Sequence, residues 1–154
     1  MKSHDLKYPS VVVDMLLGFV NGLNEYDRER GLKDTYGMYD PSKRKDWQKL
    51  FFEDGFVRYG FRFGPNGPID FDTVIVSVNV LLESLRDPGF DWDWLITEND
   101  GYFEMPSFWT IINARLIFEE AYRAVYLHWQ AAICNRGLSL PDPELLGIPQ
   151  LETI

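Results

Sequence analysis

Residues 106–136, PSFWTIINARLIFEEAYRAVYLHWQAAICNR, read as one long helix. Stepped at 100° per residue, Ile111, Ala114, Ile117, Phe118, Ala121, Tyr122, Ala124, Val125, Trp129 and Ala132 fall on one broad apolar face. Ser107, after Pro106, has the chemistry of an N-cap, and Gly137 stands where a left-handed C′ residue stops a helix. A face this large cannot be left in water, so the helix is predicted to be the central beam of a core. Arg115, Glu119, Arg123 and Gln130 read as a narrow solvated strip whose i,i+4 charges alternate in sign. Beyond the strip, Trp109, Leu116 and Leu127 form a second apolar line. That line predicts packing on two sides, or a homo-oligomer where it is left uncovered.

Upstream, Ser10 to Arg30 is predicted to be a helix, with Val12, Met15, Leu16, Phe19, Leu23 and Tyr26 on one face and Gly31 as its stop. A short helix follows Ser42 as N-cap, with Trp47, Leu50 and Phe51 buried and Lys43, Arg44, Lys45 and Lys49 turned to solvent. Phe56 to Phe63 alternates as a strand does, and the glycines and prolines of Gly64 to Pro68 end it in a turn. Asp72 to Arg86 is β-rich by composition, yet Val78 and Leu85 recur at helical spacing and Pro88-Gly89 makes a helix stop, which favours helix. Trp94 to Glu98 and Tyr102 to Met105 flank Asn99-Asp100-Gly101, a short hairpin signal. The fold expected is therefore a mainly helical α+β domain: a long C-terminal helix packed on a small three-stranded antiparallel sheet, with two or three further helices. The tail from Leu138, interrupted by Pro141, Pro143 and Pro149 and with Leu145, Leu146, Ile148 and Leu151 as apolar anchors, is expected to lie as an ordered strap across the Trp109, Leu116 and Leu127 line.

At 154 residues and 45% hydrophobic, the chain suits one globular domain with a substantial core. A single cysteine, an N-terminus without an apolar signal segment and no run long enough to span a bilayer point to a soluble cytoplasmic protein with no membrane partner. The formal charge of −9 is unevenly spread. Between residues 70 and 104 stand Asp70, Asp72, Glu83, Asp87, Asp91, Asp93, Glu98, Asp100 and Glu104 against one base, Arg86. Such a field disfavours direct binding of nucleic acid or anionic lipid and favours a basic partner.

Motifs for chemistry are few. His4 and His128 are the only histidines. His128 projects onto the apolar face of the long helix and is expected to be a hydrogen-bonded core residue rather than a catalytic base. Cys134 lies on another side of that helix, and no CxxC, HxxxH, HExxH or EF-hand spacing occurs, so neither a metal nor a cofactor is expected. Asp91, Asp93, Glu98 and Asp100 beside Trp92 and Trp94 have the groups of a carboxylate-dependent hydrolase, an alternative that needs them to converge. The same stretch also has the composition of an interface, with rings for buried area and carboxylates for steering. Asp91, Trp92, Asp93, Trp94, Glu98, Asp100, Tyr102 and Glu104 are accordingly the expected contact residues for a basic protein, such as a toxin or a nucleic-acid-handling protein. In type alone, the chain resembles acidic binding modules such as bacterial immunity proteins and phage anti-CRISPR inhibitors.

Overall fold

A computed structural model describes residues 7–19, 40–49, 51, 70–97, 111 and 113–150, and the expected beam is present, over a shorter span, as the longest of the five α-helices among the described residues. These are α1 (Ser10–Leu17), α2 (Arg44–Lys49), α3 (Phe71–Arg86), α4 (Trp92–Thr97) and α5 (Ala114–Cys134), followed by a 3₁₀ turn at Pro143–Leu146. Ile117, Phe118, Ala121, Tyr122, Ala124 and Val125 of α5 are all fully buried, as the periodicity requires. Helices α2, α3 and α4 and the 3₁₀ turn pack on α5, while α1 packs on α3.

Local chemistry explains where α5 begins and ends. Asn113 is extended, and its side-chain oxygen accepts from the Leu116 N–H at 3.3 Å, the N-cap arrangement. The helix thus starts at Ala114 rather than after Ser107, the expected cap, because Asn113 supplies the cap, and Ile111, expected on the apolar face, precedes the helix; Ser107 itself lies outside the described residues. At the other end Gly137 adopts φ +97°, its N–H meets the Cys134 carbonyl at 2.9 Å, and the Leu138 N–H reaches back to Ile133 at 3.4 Å. This is a Schellman closure, with Leu138 packed on the core that buries Ile133. Nothing lies within 4 Å of where a Gly137 Cβ would sit, so only the backbone resists a side chain there. Gly137→Ala is expected to cost about 1 kcal/mol in a urea titration; a variant as stable as the parent would remove the left-handed stop as the reason for glycine.

The β-rich stretch before Arg86 is helical because packing periodicity outweighs strand propensity. Val74, Val78, Leu81, Leu82 and Leu85 are buried, and Asp72, Val76, Asn79 and Glu83 form the exposed line. At the end of α3, the Asp87 carboxylate takes the Gly89 N–H at 2.9 Å and turns the chain toward α4. Helix α2 opens differently from the expected Ser42 cap. Asp40 accepts from the Ser42 N–H and hydroxyl at 2.9 and 2.6 Å, and Asp46 reaches back to the Asp40 N–H at 2.6 Å. Trp47 and Phe51 are buried as expected, with the Trp47 indole N–H on the Pro41 carbonyl at 2.8 Å.

The expected α+β class is overturned. The described residues are helical, with no strand or sheet among them. Trp94 to Glu98, expected as a hairpin strand, falls largely inside α4, where Trp92, Leu95 and Ile96 at i, i+3 and i+4 are buried. That spacing puts three apolar side chains on one face toward α5, which an alternating strand would have split between two faces. Phe56 to Phe63, Tyr102 to Met105 and the Asn99-Asp100-Gly101 turn lie outside the described residues.

The tail forms the expected ordered strap. Pro143 opens the 3₁₀ turn, Asp142 accepts the Glu144 N–H at 2.9 Å, and Gly147 at φ +80° closes it. Three α5 side chains donate to strap carbonyls: Tyr122 to Pro141 at 2.6 Å, Arg115 to Leu146 at 3.3 Å and Arg123 to Pro149 at 2.5 Å. The strap therefore runs back along α5 and reverses at Gly147, anchored by buried Pro143 and Ile148. None of the described helices is long and apolar enough to cross a membrane.

Candidate functional site

The acidic aromatic stretch enters α4 through Asp91, which the sequence offers as a steering charge and the structure uses as a cap. Its carboxylate accepts from the Trp94 N–H at 2.9 Å and from the Lys7 ammonium at 2.8 Å, while its own N–H donates to the Tyr8 hydroxyl at 2.8 Å. The Tyr8 ring stacks on Phe90 at 4.3 Å and meets Trp94 edge-on at 5.6 Å. The N-terminal segment is thus clamped to α4. Lys7 and then the Trp94 N–H hold the Asp91 carboxyl below its ordinary value of 3.8. A depressed acid favours the folded clamp above that pH, and the benefit fades as pH falls through the lowered value.

Trp92 is not a surface anchor. It is 5% exposed, with its ring 4.7 Å from Phe118 and 4.5 Å from Phe90, so it belongs to the core between α4 and α5. Its buried indole N–H has no acceptor among the described residues. Asp93, one residue on, is fully at the surface, and Trp94 is half-buried. Of the eight expected contact residues, Asp91 to Trp94 are brought to one end of α4 in these different roles. Glu98, Asp100, Tyr102 and Glu104 lie outside the described residues. Asp70, Asp72, Glu83 and Asp87 are exposed along α3 and its end, where Asp72 pairs with Arg136 at 2.6 Å and Glu83 with Arg86 at 3.1 Å. Among the described residues no three His, Cys, Asp or Glu side chains gather as a metal site would require.

A second polar constellation was misjudged by pattern. Arg115, Glu119 and Arg123 were expected on a solvated edge and Arg44 toward water; instead they meet beneath the strap. Arg44 spans both glutamates, 2.7 Å to Glu119 and 2.6 Å to Glu120. Arg115 closes on Glu119 at 2.9 Å, and Arg123 grips Glu120 at 2.8 and 3.0 Å. Glu120 is 0% exposed, and Glu119 and Arg123 are also buried. Arg115 further donates to the Leu85 carbonyl at 3.1 Å, tying the last turn of α3 to the same knot. Partial burial opposes the Arg44 charge, and its bonds to Glu119 and Glu120 outweigh that, leaving the guanidinium above its ordinary value. Burial likewise pushes the Tyr122 phenol up, so it stays a donor to the strap. The geometry is that of a fastener, with every carboxylate oxygen taken by a guanidinium. A legible signal existed in Glu120, which lies about 40° from Ala124 on the helical wheel and so at the shoulder of the buried face.

Between α5 and the strap lies an open cleft of about 170 Å³, bordered by Arg123, Tyr126, Leu127, Asp142, Glu144 and Ile148. Ligand pockets typically measure about 300–1,000 Å³, so this one is undersized for a bound metabolite. His128, expected in the core, is exposed on the last turns of α5, as is Cys134. Their placement follows from the burial pattern: α5 is enclosed through Val125 and then presents one side to water. Leu116 is buried and Leu127 is not, so the second apolar line is only partly covered, and Trp109 lies outside the described residues.

No protein-family model, characterised protein or solved structure matches this chain.

Proposed function

We propose that the chain is a non-enzymatic binding module that presents an acidic helical surface, along α3 and the start of α4, to a basic protein partner such as a toxin or a nucleic-acid-handling protein. One observation carries this reading. Asp70, Asp72, Glu83, Asp87 and Asp93 are all exposed, while Phe71, Val74, Val78, Leu81, Leu82, Leu85, Trp92 and Leu95 between them are buried in the core and Val76 alone of the large apolar residues stands exposed among them. The carboxylates lie on the outside of a helix, turn and helix, and although Asp72 and Glu83 are paired with Arg136 and Arg86, the excess of negative charge there steers association and sets its salt dependence. Asp91 and Asp93 differ in role, one capping a helix and one free at the surface, which suits a contact face better than a convergent acid pair.

The test is affinity capture with the tagged full chain at low salt, followed by surface plasmon resonance on the partner obtained. The expected partner is basic, and its association rate falls steeply with salt. Asp70→Lys, Glu83→Lys and Asp93→Lys together change exposed carboxylates that cap no helix through a side-chain bond in this structure, so folding should be retained. The triple variant is expected to associate at least about tenfold more slowly and with a flatter salt dependence. Unchanged rates in a folded triple variant would remove this face from the site.

A further inference from the structure

Tyr8 lies against the start of α4 as a ligand would. Its ring stacks on Phe90 at 4.3 Å and 15° and meets Trp94 edge-on, while its hydroxyl accepts the Asp91 N–H at 2.8 Å. Lys7 beside it sets its ammonium on the Asp91 carboxylate at 2.8 Å. Two half-buried rings, a carboxylate and one backbone donor thus receive two consecutive side chains, one basic and one phenolic. The arm that supplies them is lightly held. Lys7 and Tyr8 precede α1, which Pro9 caps without a side-chain bond and which buried Val13, Leu16 and Leu17 fasten to the body of the protein. The Lys7 and Asp91 side chains are 49% and 37% exposed, and pairs so open to water hold weakly. The arm can therefore swing away ahead of Pro9 while the core stays closed, and its departure uncovers the rings and the carboxylate together.

We infer that Phe90, Asp91 and Trp94 form a docking site for a partner segment in which a basic residue precedes a tyrosine, and that Lys7 and Tyr8 occupy this site in cis until such a segment displaces them. The inference rests on the acidic-surface reading above and names what the basic partner brings to that surface. The chain's own arm supplies the recognition rule. The carboxylate takes the ammonium or guanidinium through a charge-assisted bond, and the two rings take the aromatic side chain by stacking and edge contact. The Asp91 N–H selects tyrosine over phenylalanine, because a ring without a hydroxyl leaves that donor without its present acceptor. Tethering sets the competition. An occupant joined to the chain acts at an effective concentration on the order of mM, so a free segment binds at a disadvantage that disappears once the arm is removed.

The test is an NMR titration of the full chain with the blocked pentapeptide of residues 6–10, Leu-Lys-Tyr-Pro-Ser, following the Trp94 indole N–H and the Asp91 backbone N–H. The Lys7→Ala/Tyr8→Ala double variant of the full chain, with its site emptied, is expected to bind the peptide at least about threefold more tightly than the parent does. Lys7→Glu in the full chain sets a like charge against Asp91 from an exposed position and should shift affinity in the same direction, so a double variant that fails to fold leaves the test standing. On the emptied site, a peptide carrying Tyr8→Phe should bind more weakly and one carrying Lys7→Glu should not saturate. Asp91→Asn, whose amide oxygen still accepts the Trp94 N–H, should lose the preference for the basic peptide. A folded, emptied protein that takes the peptide no better than the parent, or that takes the Lys7→Glu peptide equally well, overturns the inference. Either result leaves the α3 reading untouched, because the Asp70, Glu83 and Asp93 triple reversal tests that face with Asp91 and the arm intact.

Discussion

Replacing Glu120 by alanine is expected to remove about 3–5 kcal/mol of unfolding free energy, a large part of the stability of a domain this size. Glu120 is completely buried and takes three of the guanidinium bonds in the knot, one from Arg44 and two from Arg123. Without it, Arg123 remains buried with the Pro149 carbonyl as its remaining acceptor among the described residues, a charge that water hardly reaches and that has lost its carboxylate. The loss extends beyond one pair, because Arg123 also holds the returning leg of the strap. Protease nicking near Pro149 should therefore accelerate in Glu120→Ala before global unfolding begins. Buried ion pairs are not in themselves large stabilisers, so Glu120→Leu combined with Arg123→Met should recover much of the deficit. Equilibrium urea unfolding of the three proteins checks both parts. A single variant within about 1 kcal/mol of the parent would mean that the knot is looser than its geometry indicates.

Trp92→Ala is expected to cost a similar amount, about 3–5 kcal/mol, through a cavity between α4 and α5. The ring is packed on both Phe90 and Phe118, and removing it takes both aromatic contacts away. Trp92→Phe should be much milder: it keeps an aromatic ring and eliminates the buried N–H that has no acceptor among the described residues. The pair of variants also separates two roles for this residue. If Trp92 were a partner anchor, alanine would hasten dissociation and leave the melting temperature alone; as a core residue it lowers the melting temperature and leaves binding per folded molecule unchanged. A folded Trp92→Ala protein that melts with the parent and dissociates faster would return this ring to the interface.

These two residues mark the boundary between what was legible and what was not. The core face of α5, its stop at Gly137 and the helical nature of the stretch before Arg86 could all be read from order and spacing. Each depends on neighbours within a few residues: the 3.6-residue repeat, a backbone position that favours glycine, a proline and glycine past a helix end. The strap was legible for a similar reason, since its prolines forbid a helix and its apolar residues forbid a free tail. Charge distribution was legible as arithmetic, but the function of each charge was not. Asp91 reads the same as Asp93 in the sequence, yet it caps α4 through the Trp94 N–H and is clamped by Lys7 and Tyr8, which arrive beside it from 84 and 83 residues away.

The amino-acid sequence by itself established a long amphipathic helix, its stop at Gly137 but not its cap at Asn113, a helix where composition favoured a strand, and a concentration of carboxylates over one part of the chain. Tertiary structure alone revealed that Trp94 to Glu98 largely joins a helix rather than a hairpin, that Trp92 is core, and that Arg44 crosses 75 and 76 positions to meet Glu119 and Glu120. The physical reason is the same in each case. Periodicity tells which side of an element is apolar, but a polar or aromatic side chain takes its environment from whatever packs opposite, and that partner is chosen by the closure of the whole chain.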